Sequence, residues 1–193
     1  MSTLKTTNIQ HPSAGSPNLV LAADGSVSGG AGLGGLVHLH TEDFTAQPSV
    51  SIDDVFDSTY DNYRVIVNIT GSTSAFHYMR FRASGSTDST SNYAHQQFDV
   101  NGTGVSAGRS TSRTNIRITY QDTGDGAIAI DVFSPFLSKG STVYSNGIST
   151  YAGAYVIQWV GSYGASTSFD GFSITADAGT MTGSLSVYGY RKS

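Results

Sequence analysis

The chain has 193 residues, which is enough for one domain or for one domain with an arm. Only 12% of the residues are charged and the formal net charge is −4, so we expect neither a nucleic-acid partner nor a strongly charged surface. Cys is absent, which excludes disulfides and thiol chemistry. The sequence does not start like a secretion leader, so no secretion is predicted. No apolar run approaches the ~18 residues of a membrane-spanning helix, so no membrane insertion is predicted.

Residues 1–35 differ in composition from the rest of the chain. Pro, Ser and Gly interrupt a polar segment up to Asn18, a short apolar run follows at 19–23, and a Gly-rich stretch at 29–35 predicts a linker. One apolar strand cannot bury itself, so the pattern predicts an arm that docks on another chain or on a larger particle. The alternative is a frayed terminus. The residues predicted to dock are Ile9, Pro12, Leu19, Val20 and Leu21.

Residues 36–193 are predicted to form the main domain, organised around the run from Tyr63 to Thr70. This run alternates, so one face of a strand would carry Tyr63, Val65, Val67 and Ile69. Val, Ile and Tyr suit a half-buried pleated surface, and turn residues flank the run. We therefore predict a central strand that sets the fold.

Further alternating segments follow at short intervals. Together they give about eight to ten short strands, with turn signals such as residues 122–126 between them and no convincing helical period. This spacing predicts an all-β fold: an antiparallel β-sandwich or jelly roll, preceded by the Gly-rich N-terminal arm.

Two groups of segments resemble proteins of phage particles. Residues 4–13 and 17–27 are similar to a segment of phage virion proteins, especially those of marine and cyanobacterial phages, where it occurs in tail fibres and other surface proteins. A β-sandwich domain common in the same proteins resembles residues 55–56, 60–65, 79–82 and 183–190. The resemblance implies a non-enzymatic virion component, usually a homotrimer, with the arm near an attachment point. It carries over no catalytic or metal-binding residue.

Several polar motifs were weighed for chemistry. His38 and His40 stand at period two and could chelate a metal from one strand face, but a structural pair is favoured. The carboxylates of residues 122–126 lack the full spacing of a calcium loop, and Asp53 and Asp54 would point to opposite faces of a strand. The Gly-x-Ser-x-Gly spacing occurs once, at residues 104–108, but no helical period follows it, so the strand-to-helix elbow of a hydrolase is not predicted. We predict no enzyme activity, no cofactor and no metal.

The aromatic residues carry the remaining signal, because the sequence has eleven Tyr and one Trp. Such rings suit both subunit contacts and sugar stacking. Tyr155 and Trp159 are expected in the core. Tyr151 and Tyr163 are expected on the surface, as contacts to a glycan or to another subunit.

These observations predict a structural protein of a phage virion, assembled in the host cytoplasm. The leading hypothesis is a trimeric tail-fibre or appendage component that docks on other virion proteins through its arm and presents its sandwich to a host surface glycan. Three weak sites would raise the apparent affinity by multivalency. The alternatives are a capsid decoration protein and, in another class, a free carbohydrate-binding module or a small depolymerase.

Overall fold

A computed structural model describes residues 8–9, 19–21, 27–29, 35–101, 104–121, 123–149 and 155–192, which belong to two compact units. The first unit spans Met1–Gly35, together with Ser193. It contains β1 (Asn8–Ile9), β2 (Leu19–Leu21) and β3 (Val27–Gly29), which form a three-stranded antiparallel sheet with β2 in the centre. The apolar strand predicted in the arm therefore has strand partners on both sides within its own segment.

The second unit spans Leu36–Lys192 and contains the thirteen strands β4 to β16. They are β4 (Leu36–Gln47), β5 (Ser49–Ile52), β6 (Asn62–Gly71), β7 (Ala75–Ala83), β8 (Ser86–Thr87), β9 (Tyr93–Asn101), β10 (Gly104–Arg113), β11 (Ile116–Gln121), β12 (Asp125–Phe133), β13 (Ser141–Ser149), β14 (Tyr155–Tyr163), β15 (Gly171–Ala176) and β16 (Met181–Tyr190). A search of the described residues finds no helix that is long and apolar enough to cross a membrane.

These strands form two sheets that pack face to face as an antiparallel β-sandwich of the jelly-roll-like class, which confirms the predicted fold class. The larger sheet has eight strands in the order β10-β9-β14-β13-β12-β6-β16-β4. The smaller sheet has the order β11-β7-β15-β5, with β8 paired to β7. Buried apolar residues from both sheets form one continuous core between them.

Strand β6 lies inside the larger sheet, between β12 and β16, as expected of a central strand. The four residues predicted to share its apolar face are buried, with exposed fractions of 0–2%: Tyr63, Val65, Val67 and Ile69. Fully burying a side chain of this size stabilises the fold by about 1.5–3 kcal/mol. The same alternation recurs on β12 and β16, so the period-two pattern of the sequence determines which side of each strand faces the core.

Both edge strands of the larger sheet contain β-bulges. On β4 the register shifts opposite the pair Val187 and Tyr188, and again near Ala46, whose φ is 51°. On β10 the register shifts between Ser110 and Arg113, where Ser112 has a φ of 53°. A bulge inserts one residue into the ladder and changes which side chains share a face beyond it.

Candidate binding surface on the eight-stranded sheet

The eight-stranded sheet has one face against the core and one face directed away from the smaller sheet, which we call the outer face. Because antiparallel partners lie on the same side of a sheet, the register aligns outer-face residues in rows across the strands. One row runs from β10 to β6 through Val105, Val100, Val156, Ile148, Ala127 and Asn68. The outer face is therefore a broad, continuous surface on which the register gives the cross-strand neighbour of each residue.

At the β10 side, the outer face is strongly apolar. Five large side chains remain between 46% and 65% exposed there, and we call this set the apolar end: Phe98, Val105, Ile148, Val156 and Val160. Strand β14 explains part of it, since Val156 and Val160 alternate with the buried Ile157 and Trp159. Large contiguous apolar patches are rare on monomeric proteins and mark interaction surfaces.

A polar network occupies the outer face at the opposite side of the sheet. The Arg64 guanidinium donates two hydrogen bonds to the Asp131 carboxylate, at 2.8 and 2.7 Å, and the Tyr190 hydroxyl donates a third at 2.8 Å. The hydrogen bond to Asp131 raises the pKa of Arg64. Burial pushes the pKa of Asp131 upward, but the hydrogen bonds from Arg64 and Tyr190 outweigh it and the pKa is lowered. These charges satisfy one another, so the network holds β6, β12 and β16 together.

An open depression of about 500 Å³ lies on the outer face of β6, β12 and β16, at the other end of these strands from the polar network, and it reaches the apolar end at Ile148. Its lining includes Asn68, Thr70, Asp125, Ile148 and Ser184. The Thr70 hydroxyl donates a hydrogen bond of 2.5 Å to the Asp125 carboxylate. Amide, hydroxyl and carboxylate groups beside one apolar side chain can hydrogen-bond a polar ligand, so the depression is suited to a weak, shallow contact.

The structure corrects one of the two predicted aromatic contacts. Tyr163 is only 2% exposed, because the alternation of β14 places it on the same core-facing side as Ile157 and Trp159. Its hydroxyl donates to the Asp88 carboxylate at 3.2 Å. The prediction that Tyr163 is a surface contact is therefore wrong. Tyr151 lies outside the described residues.

The predicted docking residues lie mostly in the N-terminal three-stranded sheet. Ile9 belongs to β1, and Leu19, Val20 and Leu21 make up β2. Pro12 lies outside the described residues. Docking through these residues stays a prediction.

The histidine pair is also corrected. His38 lies opposite Tyr188 and His40 lies opposite Val187, with Leu39 inserted between them as a bulge. Tyr188 points to the outer face and Val187 is fully buried, so the two imidazoles lie on opposite faces instead of one. The described residues contain no group of three or more His, Asp or Glu side chains placed to hold a metal ion.

The sequence contains a signal for the apolar end that its period-two strand pattern does not reveal. Residues 156–160 read Val-Ile-Gln-Trp-Val, which places apolar side chains on both faces of one strand. Such a strand needs cover on both sides, and the smaller sheet supplies it on one side only. The fold therefore defines an antiparallel sandwich with an open, partly apolar sheet face.

Comparisons with known proteins do not assign a function to the chain. No protein-family model matches the chain, and no curated protein matches it. Among solved structures, the chain is similar to the galectin LEC-6 of Caenorhabditis elegans, with 12% identity and a TM-score of 0.38. The match covers 78% of this chain and 96% of the galectin. At this identity and TM-score the likeness supports no conclusion about this chain.

Proposed function

We propose that the chain is a non-enzymatic structural protein of a phage virion. It is a homotrimeric tail-fibre or appendage component, docked on other virion proteins by residues 1–35 and presenting its sandwich to a host surface. The resemblance of its segments to phage surface proteins supports this origin. The observation that carries the proposal is the apolar end of the outer face, which a single chain leaves in water.

A neighbouring copy of the chain is the proposed cover for the apolar end. Its five side chains are about half exposed, and complete burial of each would contribute about 1 kcal/mol to association, half of the value for a fully exposed residue. The low charge content of 12% also suits a surface that packs against copies of itself. Weak host contacts, repeated three times in such an assembly, gain apparent affinity through multivalency.

Immunogold labelling of intact virions tests the location. An antibody against residues 36–193 is expected to label the tail of the phage that encodes the chain. Gold spread over the head would overturn the tail-fibre hypothesis and support the alternative, a capsid decoration protein. Particles without any label would overturn both virion hypotheses and favour a free carbohydrate-binding module. Shortening of a host polysaccharide by the purified chain would overturn the non-enzymatic part of the proposal.

A pair of arm variants tests docking in the same particles. In the full chain, Leu19→Asp combined with Leu21→Asp is expected to abolish incorporation into virions, because charge on the apolar strand opposes burial in a partner. The matched control adds the same charge at polar positions of the arm, Ser13→Asp with Ser16→Asp, and is expected to be incorporated. Equal incorporation of both variants would remove the docking role of this strand.

The mass of the full chain in solution tests the homotrimer. Light scattering is expected to give three times the chain mass of 20.2 kDa. Val156→Glu, in the middle of the apolar end, is expected to dissociate the trimer, whereas Thr142→Glu, an exposed position on the neighbouring strand β13, is expected to leave it intact. A monomeric wild-type chain throughout a dilution series would refute the homotrimer.

A further inference from the structure

The eight-stranded sheet has two free edges. Among the strands that the structure describes, β10 ends the sheet at one side and pairs only with β9, and β4 ends it at the other side and pairs only with β16. Each edge therefore presents a row of backbone N–H and C=O groups that another strand can pair with. Natural proteins usually interrupt the row of hydrogen-bonding groups on such edges. Here the bulges of β4 and β10 interrupt it, so only short regular stretches remain available for pairing.

The two edges carry opposite charge. Between Gly104 and Arg113, β10 has two arginines, Arg109 and Arg113, and no acidic residue. Strand β4 has Glu42 and Asp43 and neither Lys nor Arg. Arg109 and Asp43 are both exposed, and among the described residues neither takes part in an ion pair. Each edge thus carries an unpaired charge that complements the other edge of the same sheet.

Strand direction permits the two edges to meet head to tail. All seven neighbouring pairs in the eight-stranded sheet are antiparallel, so its strands alternate in direction and β10 and β4 run in opposite directions. When one copy follows another with the same orientation, β10 of the first therefore lies antiparallel to β4 of the second. The junction continues the pattern of the sheet without inverting either copy.

At one register, the charged side chains of the two edges also lie on the same face of the extended sheet. Arg109 lies opposite Gln96 and Asp43 lies opposite Ser184, and both partners belong to the outer face. If Arg109 is set opposite Asp43, both charges fall on the outer face of the extended sheet. The register then places Ser110 opposite Glu42 on the core-facing side, which adds a hydroxyl donor to a second carboxylate. These pairs lie within the regular stretches left between the bulges.

We propose that β10 of one copy pairs antiparallel with β4 of the next, with Arg109 opposite Asp43, and that repetition of this junction closes a ring. A head-to-tail contact of this kind gives a ring when the rotation between copies closes on itself. The inference rests on the homotrimer of the proposed function and names the surfaces that form it. The apolar end lies at the same side of the sheet as this junction, since Val105 belongs to β10 itself. A ring closed with the outer faces inward turns the apolar ends of the copies toward one another, so the same ring also covers them.

Reciprocal charge reversal in the full chain tests this pairing. Arg109→Glu places like charges opposite each other at every junction, and Asp43→Arg does the same with the opposite sign. Each single variant is expected to raise the dissociation constant of the assembly by about tenfold, the order of magnitude for changing a cross-strand attraction into a repulsion. The double variant restores the opposite charges and is expected to return to the wild-type constant. Lys139→Glu makes the same charge change on an exposed loop and serves as the control.

The effect of salt on the dissociation constant gives a second test, and its direction is predicted for each variant. Added NaCl screens exposed charges, so it is expected to weaken the wild-type assembly and the double variant but to strengthen either single variant. Sedimentation velocity measures both effects, and circular dichroism verifies that each variant is folded.

The outcomes separate this inference from the proposed function. An assembly that survives both single reversals, or a double variant that is no better than the singles, overturns the β10–β4 pairing while the homotrimer stands. The first result would point to contact through the apolar end alone, and the second to edges in which Arg109 and Asp43 do not lie opposite each other. A wild-type chain that is monomeric throughout overturns the homotrimer and the pairing together.

Discussion

His77 offers the most direct test of the physics of this core. It lies on β7, and the register places Thr119 and Ala176 on either side of it in the smaller sheet. The side chain is 0% exposed, and neither ring nitrogen has a hydrogen-bond partner among the described residues. Burial lowers the pKa of His77 to about 4, although the nearby Asp177 favours the charged form. The imidazole is therefore held neutral in the folded chain.

This pKa difference makes stability depend on pH. In the unfolded chain the imidazole takes up a proton below its ordinary pKa of about 6.5, but in the folded chain it does so only below about 4. The unfolded state is thus favoured progressively as pH falls from about 6.5 to about 4. The full difference corresponds to about 3 kcal/mol, since one pKa unit is worth about 1.4 kcal/mol.

His77→Leu is expected to remove most of that pH dependence. At pH 7 the variant should be as stable as the wild type or about 1–2 kcal/mol more stable, because it replaces unpartnered buried nitrogens with an apolar group of similar size. Urea unfolding followed by the fluorescence of Trp159, the single tryptophan, measures the free energy of unfolding at pH 7 and near pH 4.5.

A matched control separates His77 from the other histidines. His38→Gln removes an exposed imidazole from β4 and is expected to keep the wild-type pH dependence. A smaller dependence remains in His77→Leu, because burial also lowers the pKa of His95. If His77→Leu and the wild type lose equal stability between pH 7 and 4.5, the assignment of the acid sensitivity to this buried imidazole is refuted.

Two further substitutions test the packing of the larger sheet. Asp131→Asn is expected to lower the free energy of unfolding by about 1 kcal/mol at pH 7, because Arg64 loses its bidentate partner. Folding lowers the pKa of Asp131, so its contribution is fully present above the ordinary carboxyl range and is lost as pH falls through the lowered value. In urea unfolding, the difference between the variant and the wild type is therefore expected to be largest at pH 7 and to shrink as the pH is lowered below that range. Gly161→Ala is expected to destabilise the fold by about 1–3 kcal/mol, because a Cβ there collides with the side chain of Ile116. In thermal unfolding, Gly164→Ala is the control, with its nearest neighbour at 3.6 Å, and equal melting temperatures for the two variants would contradict the collision.

Local pattern determined much of the architecture. The alternation from Tyr63 to Ile69 predicted a strand with one buried face, and the structure buries those residues inside the larger sheet. The recurrence of short alternating segments predicted the antiparallel sandwich. Trp159 was expected in the core and is 2% exposed. These predictions succeed because side chains on a regular strand alternate between its two faces, so the sequence pattern predicts which residues share a face wherever the strand has no bulge.

The sequence does not show which face of the larger sheet the smaller sheet covers, or where a β-bulge interrupts the alternation along a strand. Tyr163 was expected at the surface although it shares a strand face with Trp159, which was expected in the core, and the packing of β14 against the smaller sheet buries that whole face. The bulge at Leu39 places the side chains of His38 and His40 on opposite faces of the sheet, and no residue pattern in the sequence predicts this bulge.

Tertiary structure alone also decides the order of strands in the larger sheet. That order brings the apolar side chains of β9, β10, β13 and β14 into one exposed surface and leaves a basic edge at β10 and an acidic edge at β4. Such pairings join residues far apart in the chain, and they depend on loop closure and on the fit between whole sheets. The alternation along each strand is a local property of the sequence, whereas the surfaces proposed here for assembly arise only when distant strands come together.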